Sequence, residues 1–233
     1  VSPASAYVGN TAHAYKSGLA TSRAYYKLRQ ALRLSFPEQA REAAARAAAD
    51  VEDSGSQPAR APDTAVGGDA HLAASQPLRG LRAVDVGAAP GGWTSCLVEH
   101  GASWCVAIDP AQLAPEVAAH PRVEHMKQRA GYAVEVLAKR GERFDVLVCD
   151  MNCPAFKAAQ IVQELAPLMC PGAKLILTLK KVQRARRDYE AAVADSLALL
   201  APTWTDVEVV HLFANTPHER TVLARRRRVV IPQ

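Results

Sequence analysis

An open α/β sheet, mostly parallel and covered by helices on both faces, is the fold this 233-residue chain predicts. Three observations predict it. From residue 81 to residue 200, short apolar runs of strand length alternate with amphipathic stretches of helix length, the rhythm of βαβ units. The first run, Leu81–Val86, passes through Gly87-Ala-Ala-Pro-Gly-Gly92 into a helical segment. Glycines there let backbone approach a ligand beside the free N–H groups of a helix start. The last two runs have only Ala214–Arg220 between them, too short for a helical crossover, so they pair antiparallel.

Taken in order, Ser22–Leu34 reads as a helix: Ser22 is an N-cap residue, and Ala24, Leu28, Ala31 and Leu32 share one face. Pro37 ends it. Glu38–Val51 is alanine-rich and predicts a second, largely exposed helix. Asp53–Pro77 turns to Ser, Gly, Pro, Asp and Ala with no repeating apolar pattern, which predicts a linker or insertion. Strands follow at Arg82–Val86, Trp104–Ile108, Arg122–His125, Phe144–Cys149, Ala173–Leu179, Asp206–Phe213 and Thr221–Val230. Helices fill the gaps at Trp93–His100, Ala130–Arg140, Ala155–Leu168 and Arg187–Leu200. The expected organisation is a basic helical arm over residues 1–52, a linker over 53–77, and a core over 78–233.

Composition narrows the function classes. No apolar run approaches the roughly 20 residues that a membrane span needs; Leu175–Leu179 is strand-sized. No secretory signal is visible, and a chain starting at Val1 reads as trimmed, so the cytoplasm is expected, or an organelle if a targeting segment was removed. Cys96, Cys105, Cys149, Cys153 and Cys170 form no C-x-x-C pair and no zinc-spaced cluster. A reducing compartment and no metal are expected. Net charge is +5 but unevenly placed: residues 1–37 hold Lys16, Arg23, Lys27, Arg29 and Arg33 with no acidic residue, interleaved with four tyrosines. Further bases lie at Lys180, Lys181, Arg184, Arg186 and Arg187, and at Arg225–Arg228. Polyanion binding is one reading of this pattern; solvated faces and a blunted edge strand are the other.

The glycine loop is not spaced as G-x-G-x-x-G, so a nicotinamide or flavin site is a poor fit. Gly87-Ala-Ala-Pro-Gly-Gly-Trp93 instead resembles the S-adenosylmethionine loop of the FtsJ family of RNA 2′-O-ribose methyltransferases. Ser22-Arg-Ala-Tyr-Tyr-Lys-Leu28 resembles the family's S-R-A-x-x-K-L motif, Phe144–Met151 its fourth strand ending in a carboxylate, and Leu177-Thr-Leu-Lys180 its fifth ending in a lysine. Asn215–Val222 matches the stretch that carries the family's glutamate. Among such enzymes the RlmM group, which acts on a cytidine of large-subunit ribosomal RNA, is the most similar. The resemblance covers about residues 20–35 and 80–228.

The resemblance implies a Rossmann-like class I methyltransferase fold with seven strands, the last antiparallel. It implies a catalytic tetrad of Lys27, Asp150, Lys180 and Glu219. Cofactor contacts are implied for Ser22 toward the methionine end, Gly87, Ala89, Pro90, Gly91, Gly92 and Trp93 in the loop, Asp109 at the ribose, and Asp150. A ribose 2′-hydroxyl must lose its proton as it attacks, and a lysine of suitable basicity can take it. Lys180 is the expected base, with Lys27 raising the local potential and the two carboxylates orienting both lysines. Lys181 is its rival, because one step along a strand reverses the face.

The chain departs from the family after the third strand, where a carboxylate near the adenine amine is usual. Met126-Lys-Gln-Arg-Ala-Gly131 holds none, leaving Gln128 or Arg129 at that place. The RlmM group's large N-terminal RNA-binding domain is also not in this sequence. RNA, with ribosomal RNA foremost, is the expected partner, engaged by a monomer or by a chain working with an RNA-binding partner. The competing reading is a methyltransferase-fold assembly factor that binds RNA without catalysis, favoured by the missing carboxylate and opposed by the intact tetrad. A base methyltransferase fits less well, since Asp150-Met-Asn-Cys-Pro154 is not an Asn/Asp-Pro-Pro-Tyr motif.

Overall fold

The computed structural model describes residues 23–39, 76–182 and 186–228. Helix α1 (Arg23–Ser35) precedes β1 (Arg82–Val86), α2 (Gly92–Glu99), β2 (Trp104–Ile108), α3 (Pro115–Ala118) and β3 (Val123–Met126). Then come α4 (Ala130–Lys139), β4 (Phe144–Cys149), α5 (Ala155–Leu165), β5 (Met169–Lys180), α6 (Arg186–Leu200), β6 (Trp204–Val210) and β7 (Glu219–Arg226). The helix expected over 38–51 and the linker over 53–77 lie, but for residues 38, 39, 76 and 77, outside the described residues. Ser22 lies outside them too.

One sheet of seven strands runs β3-β2-β1-β4-β5-β7-β6. Strands β1 to β5 pair in parallel. Strand β7 slots between β5 and β6 and is antiparallel to both. The inner strands β1, β2, β4 and the second half of β5 are almost wholly buried because helices cover both their faces, whereas β3 at the edge is only half buried. Helices α4, α5 and α6 bury Leu137, Ile161, Val162, Leu165, Tyr189 and Leu200 on one side. Helices α1, α2 and α3 bury Leu28, Leu32, Trp93, Leu97 and Val117 on the other. Chain order reverses between β1 and β4, and the crevice above their carboxyl ends is where such sheets bind ligands.

Where the element bounds differ from the expected ones, local chemistry explains it. The helix read over Ala155–Leu168 stops at Leu165 and tightens into a 3₁₀ turn, because Pro167 has no N–H to continue the ladder. Strand β5 begins at Met169, four residues early: Met169 pairs with Phe144, and a register shift then lets the strand pass Gly172, at φ +85°. Strand β6 stops at Val210 because a turn, closed by Asn215 N–H donating to Leu212 O (3.0 Å), begins there. The single turn α3 is too short to carry a periodic signal.

Candidate active site

The core-facing stripe of α1 is Lys27, Leu28, Ala31, Leu32 and Ser35. One member is a lysine. Helical spacing thus carries a charged group into the body of the protein, where burial is costly unless the charge is paired. It is paired: Lys27 Nζ lies 3.2 Å from both oxygens of Asp150 and 3.1 Å from Glu219 Oε2.

Those partners come from adjacent strand ends. Asp150 follows β4, Lys180 closes β5, and the antiparallel register sets Lys180 directly opposite Glu219 at the start of β7. Lys180 Nζ donates to the Asp150 backbone oxygen (2.9 Å) and lies 3.2 Å from Asp150 Oδ1. The four residues of the expected tetrad therefore form one cluster. Lys180 lines the cavity that opens beside the cluster, whereas Lys181, the rival, does not, and its backbone N–H donates to His218 O (2.7 Å). Glu219 is held below the usual carboxylate range: burial opposes its ionisation, but the Thr216 N–H (2.9 Å), Lys27 and Lys180 outweigh that.

A cavity of about 1010 Å³ opens beside this cluster, lined by residues 86–90, 92 and 93, Asp109, residues 128–132, Asp150 and Lys180. The loop after β1 is shaped for close approach. Gly87 sits at φ +78°, and a Cβ there would lie 2.7 Å from Met151 Cγ. Gly91 sits at φ +118°, where a Cβ would press on Val117 at 2.9 Å, and as N-cap of α2 it offers no side chain to the free N–H groups. Of the expected loop residues, Gly87, Ala89, Pro90, Gly92 and Trp93 line the cavity. Trp93 is otherwise core, with its indole nitrogen buried and unpartnered among the described residues.

Asp109, at the tip of β2, ties two loops together. Its Oδ2 accepts from Ala89 N–H (3.1 Å) and its Oδ1 from Ala111 N–H (2.8 Å). A carboxylate has about four lone-pair sites, so acceptor capacity remains toward the cavity it lines. Behind the loop, Asp85 of β1 is buried; Thr94 Oγ1 donates to its Oδ2 (2.7 Å), and its Oδ1 has no partner among the described residues. Burial pushes the Asp85 carboxyl up to about 7 against the Thr94 hydrogen bond, with Asp150 and Asp109 pushing the same way.

Sequence reasoning missed the far wall of the cavity, formed by Tyr132 and Glu135 of α4 and Lys157, Ile161 and Glu164 of α5. Their spacing is that of any amphipathic helix, so no local signal separates them from a solvated face. Gln128 and Arg129 both line the cavity, at the position where the expected carboxylate is missing. The structure moves Arg225–Arg228 away from the site. Glu219 and Arg226 are opposite ends of β7, about 24 Å apart at strand rise. Arg225 lies 3.7 Å from Asp206, while Arg226 and Arg227 donate to the carbonyls of Ala166, Thr203 and Ala201. Among the described residues no group of three metal-ligating side chains is placed to hold an ion, and no helix is long and apolar enough to cross a membrane.

Known proteins are similar to this chain in sequence and in fold. The chain is 33% identical over 155 residues to a ribosomal RNA large subunit methyltransferase M of Aromatoleum aromaticum, covering 65% of this chain and 40% of that protein. It is 43% identical over 76 residues to the protein of the same name from Halorhodospira halophila, covering 33% of this chain and 21% of that one. The chain thus spans well under half of these relatives. Solved structures share the fold: a Lactococcus lactis chain described as a candidate hemolysin (TM-score 0.52, 18% identity, covering 64% of this chain and 79% of that one) and a fibrillarin/Nop5p complex (TM-score 0.50, 14% identity, covering 63% and 72%). The model of the FtsJ-like methyltransferase family matches residues 70–197, from before β1 into α6 and more than half of the chain, and the chain belongs to that family.

Proposed function

We propose that this chain is an S-adenosylmethionine-dependent RNA 2′-O-ribose methyltransferase acting on ribosomal RNA in the cytoplasm. The observation that carries the reading is the Lys27–Asp150–Lys180–Glu219 cluster at the rim of the loop cavity. The cavity fits the cofactor on its own chemistry. Gly87 stands where a Cβ would collide, Asp109 keeps acceptor capacity suited to ribose hydroxyls, and the nearby carboxylates suit a cationic sulfonium. Gly87, Ala89–Gly92, Trp93, Asp109 and Asp150 would hold it. When bound, it supplies the electrophilic methyl group that the ribose oxygen takes.

The remaining work falls to the chain's own side chains. Lys180, in its neutral form, takes the proton from the 2′-hydroxyl. The ammonium so formed is the species that Asp150 holds through its backbone oxygen and Oδ1. Lys27 draws on the same carboxylate, so the two ammonium groups compete for it, and Glu219 anchors Lys27 from the other side. The fixed geometry contributes by holding the hydroxyl in line, an effect worth several kcal/mol and roughly 7–11 at its largest. Arg23, exposed one helical turn before Lys27, and the half-buried Lys181 flank the cluster and would hold RNA phosphates.

Titration calorimetry of S-adenosylmethionine into the wild-type chain and Asp109→Ala tests the cofactor site. Saturable micromolar binding lost in the variant supports it. Methyl transfer to an unmethylated large-subunit ribosomal RNA transcript, mapped for 2′-O-methylation, tests the reaction. Cofactor binding without transfer would favour the non-catalytic RNA-binding reading.

A further inference from the structure

We infer that Gln30 is a positioning residue for the Lys27–Glu219 pair, a reading that rests on the proposed methyl transfer. Lys27 and Glu219 belong to opposite ends of the sequence, and their meeting depends on how α1 sits against the turn before β7. That turn is rigid within itself. Asn215 and Thr221 exchange side-chain hydrogen bonds (3.1 and 3.3 Å), Glu219 N–H donates to Thr216 O (3.1 Å), and Thr216 N–H donates to Glu219 Oε2 (2.9 Å). Glu219 therefore moves with residues 212–221 as one unit.

Among the described residues, two polar contacts join helix α1 to this unit, beside the shared packing of Leu212 with Leu28 and Leu32. One is Lys27 on Glu219. The other is Gln30, whose Oε1 accepts from the backbone N–H of Phe213 (2.8 Å). Three residues along a helix return to nearly the same face, about 60° round and 4.5 Å along the axis. Together with the packing of Leu28 and Leu32 against the sheet, a second contact on the same unit limits how far the helix turns about Lys27. Apolar packing of Leu28 and Leu32 fixes how close α1 lies to the sheet, and Tyr25 OH, bonded to Glu99 of α2, fixes its other flank. Gln30 fixes the rotation that aims Lys27. Because the bond is exposed, losing it alters aim more than stability.

Only the acceptor matters to this role, which separates two substitutions. Gln30→Met keeps the length and removes the acceptor; Gln30→Glu keeps an acceptor at the same reach. The measurements are kcat and KM for methyl transfer to an unmethylated large-subunit ribosomal RNA transcript, calorimetric Kd for S-adenosylmethionine, and amide hydrogen exchange over residues 211–219. We expect Gln30→Met to lower kcat about tenfold, with KM and Kd within twofold of wild type and faster exchange over 211–219. Gln30→Glu restores both kcat and protection. Wild-type kcat and protection in Gln30→Met overturn the inference, as does a Gln30→Glu variant equally impaired. A parallel loss of cofactor affinity in Gln30→Met assigns a merely structural role and overturns it as well. Should the wild-type chain transfer no methyl group, the proposed function fails, and the exchange data still decide whether Gln30 locks α1 to the turn.

Discussion

Lys27 and Lys180 converge on a single atom, each with its Nζ 3.2 Å from Asp150 Oδ1. Two cations on one carboxylate oxygen need a further anion, and Glu219 supplies it, in contact with Lys27 and acting on Lys180 through its field. The asymmetry separates their roles: among the described residues Lys27 touches two carboxylates, whereas Lys180 touches one.

This separation predicts the outcome of replacing Lys180. Lys180→Ala lowers the methyl-transfer rate by about 10²–10⁴, the usual range for a general base, while S-adenosylmethionine Kd stays within twofold. Lys180→Arg keeps the charge but cannot give up a proton, and is expected to be as inactive. Single-turnover transfer with calorimetry checks both; more than a tenth of wild-type activity in the arginine variant would exclude the base role.

Glu219 links the site to acid stability. Its folded pKa lies below its unfolded one, so its contribution is complete above the unfolded value and is lost as pH falls through the native value. Glu219→Gln leaves the buried Lys27 with Asp150 alone and costs about 1–3 kcal/mol at pH 7. Urea denaturation should find that deficit at pH 7 and find it shrinking as pH falls below the usual carboxylate range.

Asp85 acts in the opposite direction. With its carboxyl pushed up to about 7, the folded state keeps a proton that the unfolded chain releases from about pH 4 upward. Its effect is to lower stability as pH rises between about 4 and 7, by up to about 1.4 kcal/mol per pH unit. Asp85→Asn, which can still accept from Thr94, removes this slope. Wild type and variant are expected to converge toward pH 4 and diverge in the variant's favour toward pH 7 in urea midpoints.

The two basic regions should separate in an RNA-binding titration. Arg226 spends its guanidinium on the carbonyls of Ala166 and Thr203, so Arg226→Gln lowers stability by about 1 kcal/mol and leaves the salt dependence of RNA binding unchanged. Lys181→Gln is expected to reduce the slope of log K against log salt by about one. A reversed pattern would relocate the RNA path to the far end of β7.

The sheet and the loop were legible because they are written locally. The Leu81–Val86 run and the glycines after it specify a strand, a turn and a helix start within a dozen residues. The meeting of Lys27, Asp150, Lys180 and Glu219 was legible only by resemblance, since nothing near Lys27, inside a mostly apolar helical stripe, says which carboxylates neutralise it. Gln30, Thr216 and the α4–α5 wall were illegible because Gln30 bonds a backbone N–H, Thr216 acts through its own backbone N–H, and the wall faces empty space, none of which leaves a side-chain pattern. Arg225–Arg228 misled for a related reason. A run of like charge does not reveal that its guanidinium groups will cap carbonyls.

Strand β7 carries a consequence for the order of folding. The cofactor loop and Asp109 are completed by β1 to β4, whose contacts are formed by the middle of the chain. Glu219 meets Lys27 through β7, which joins β6 to β5, across one of the longest sequence separations in the fold and so among the costliest closures. For the proposed reaction, catalytic competence would therefore depend on β7 being in place in the sheet.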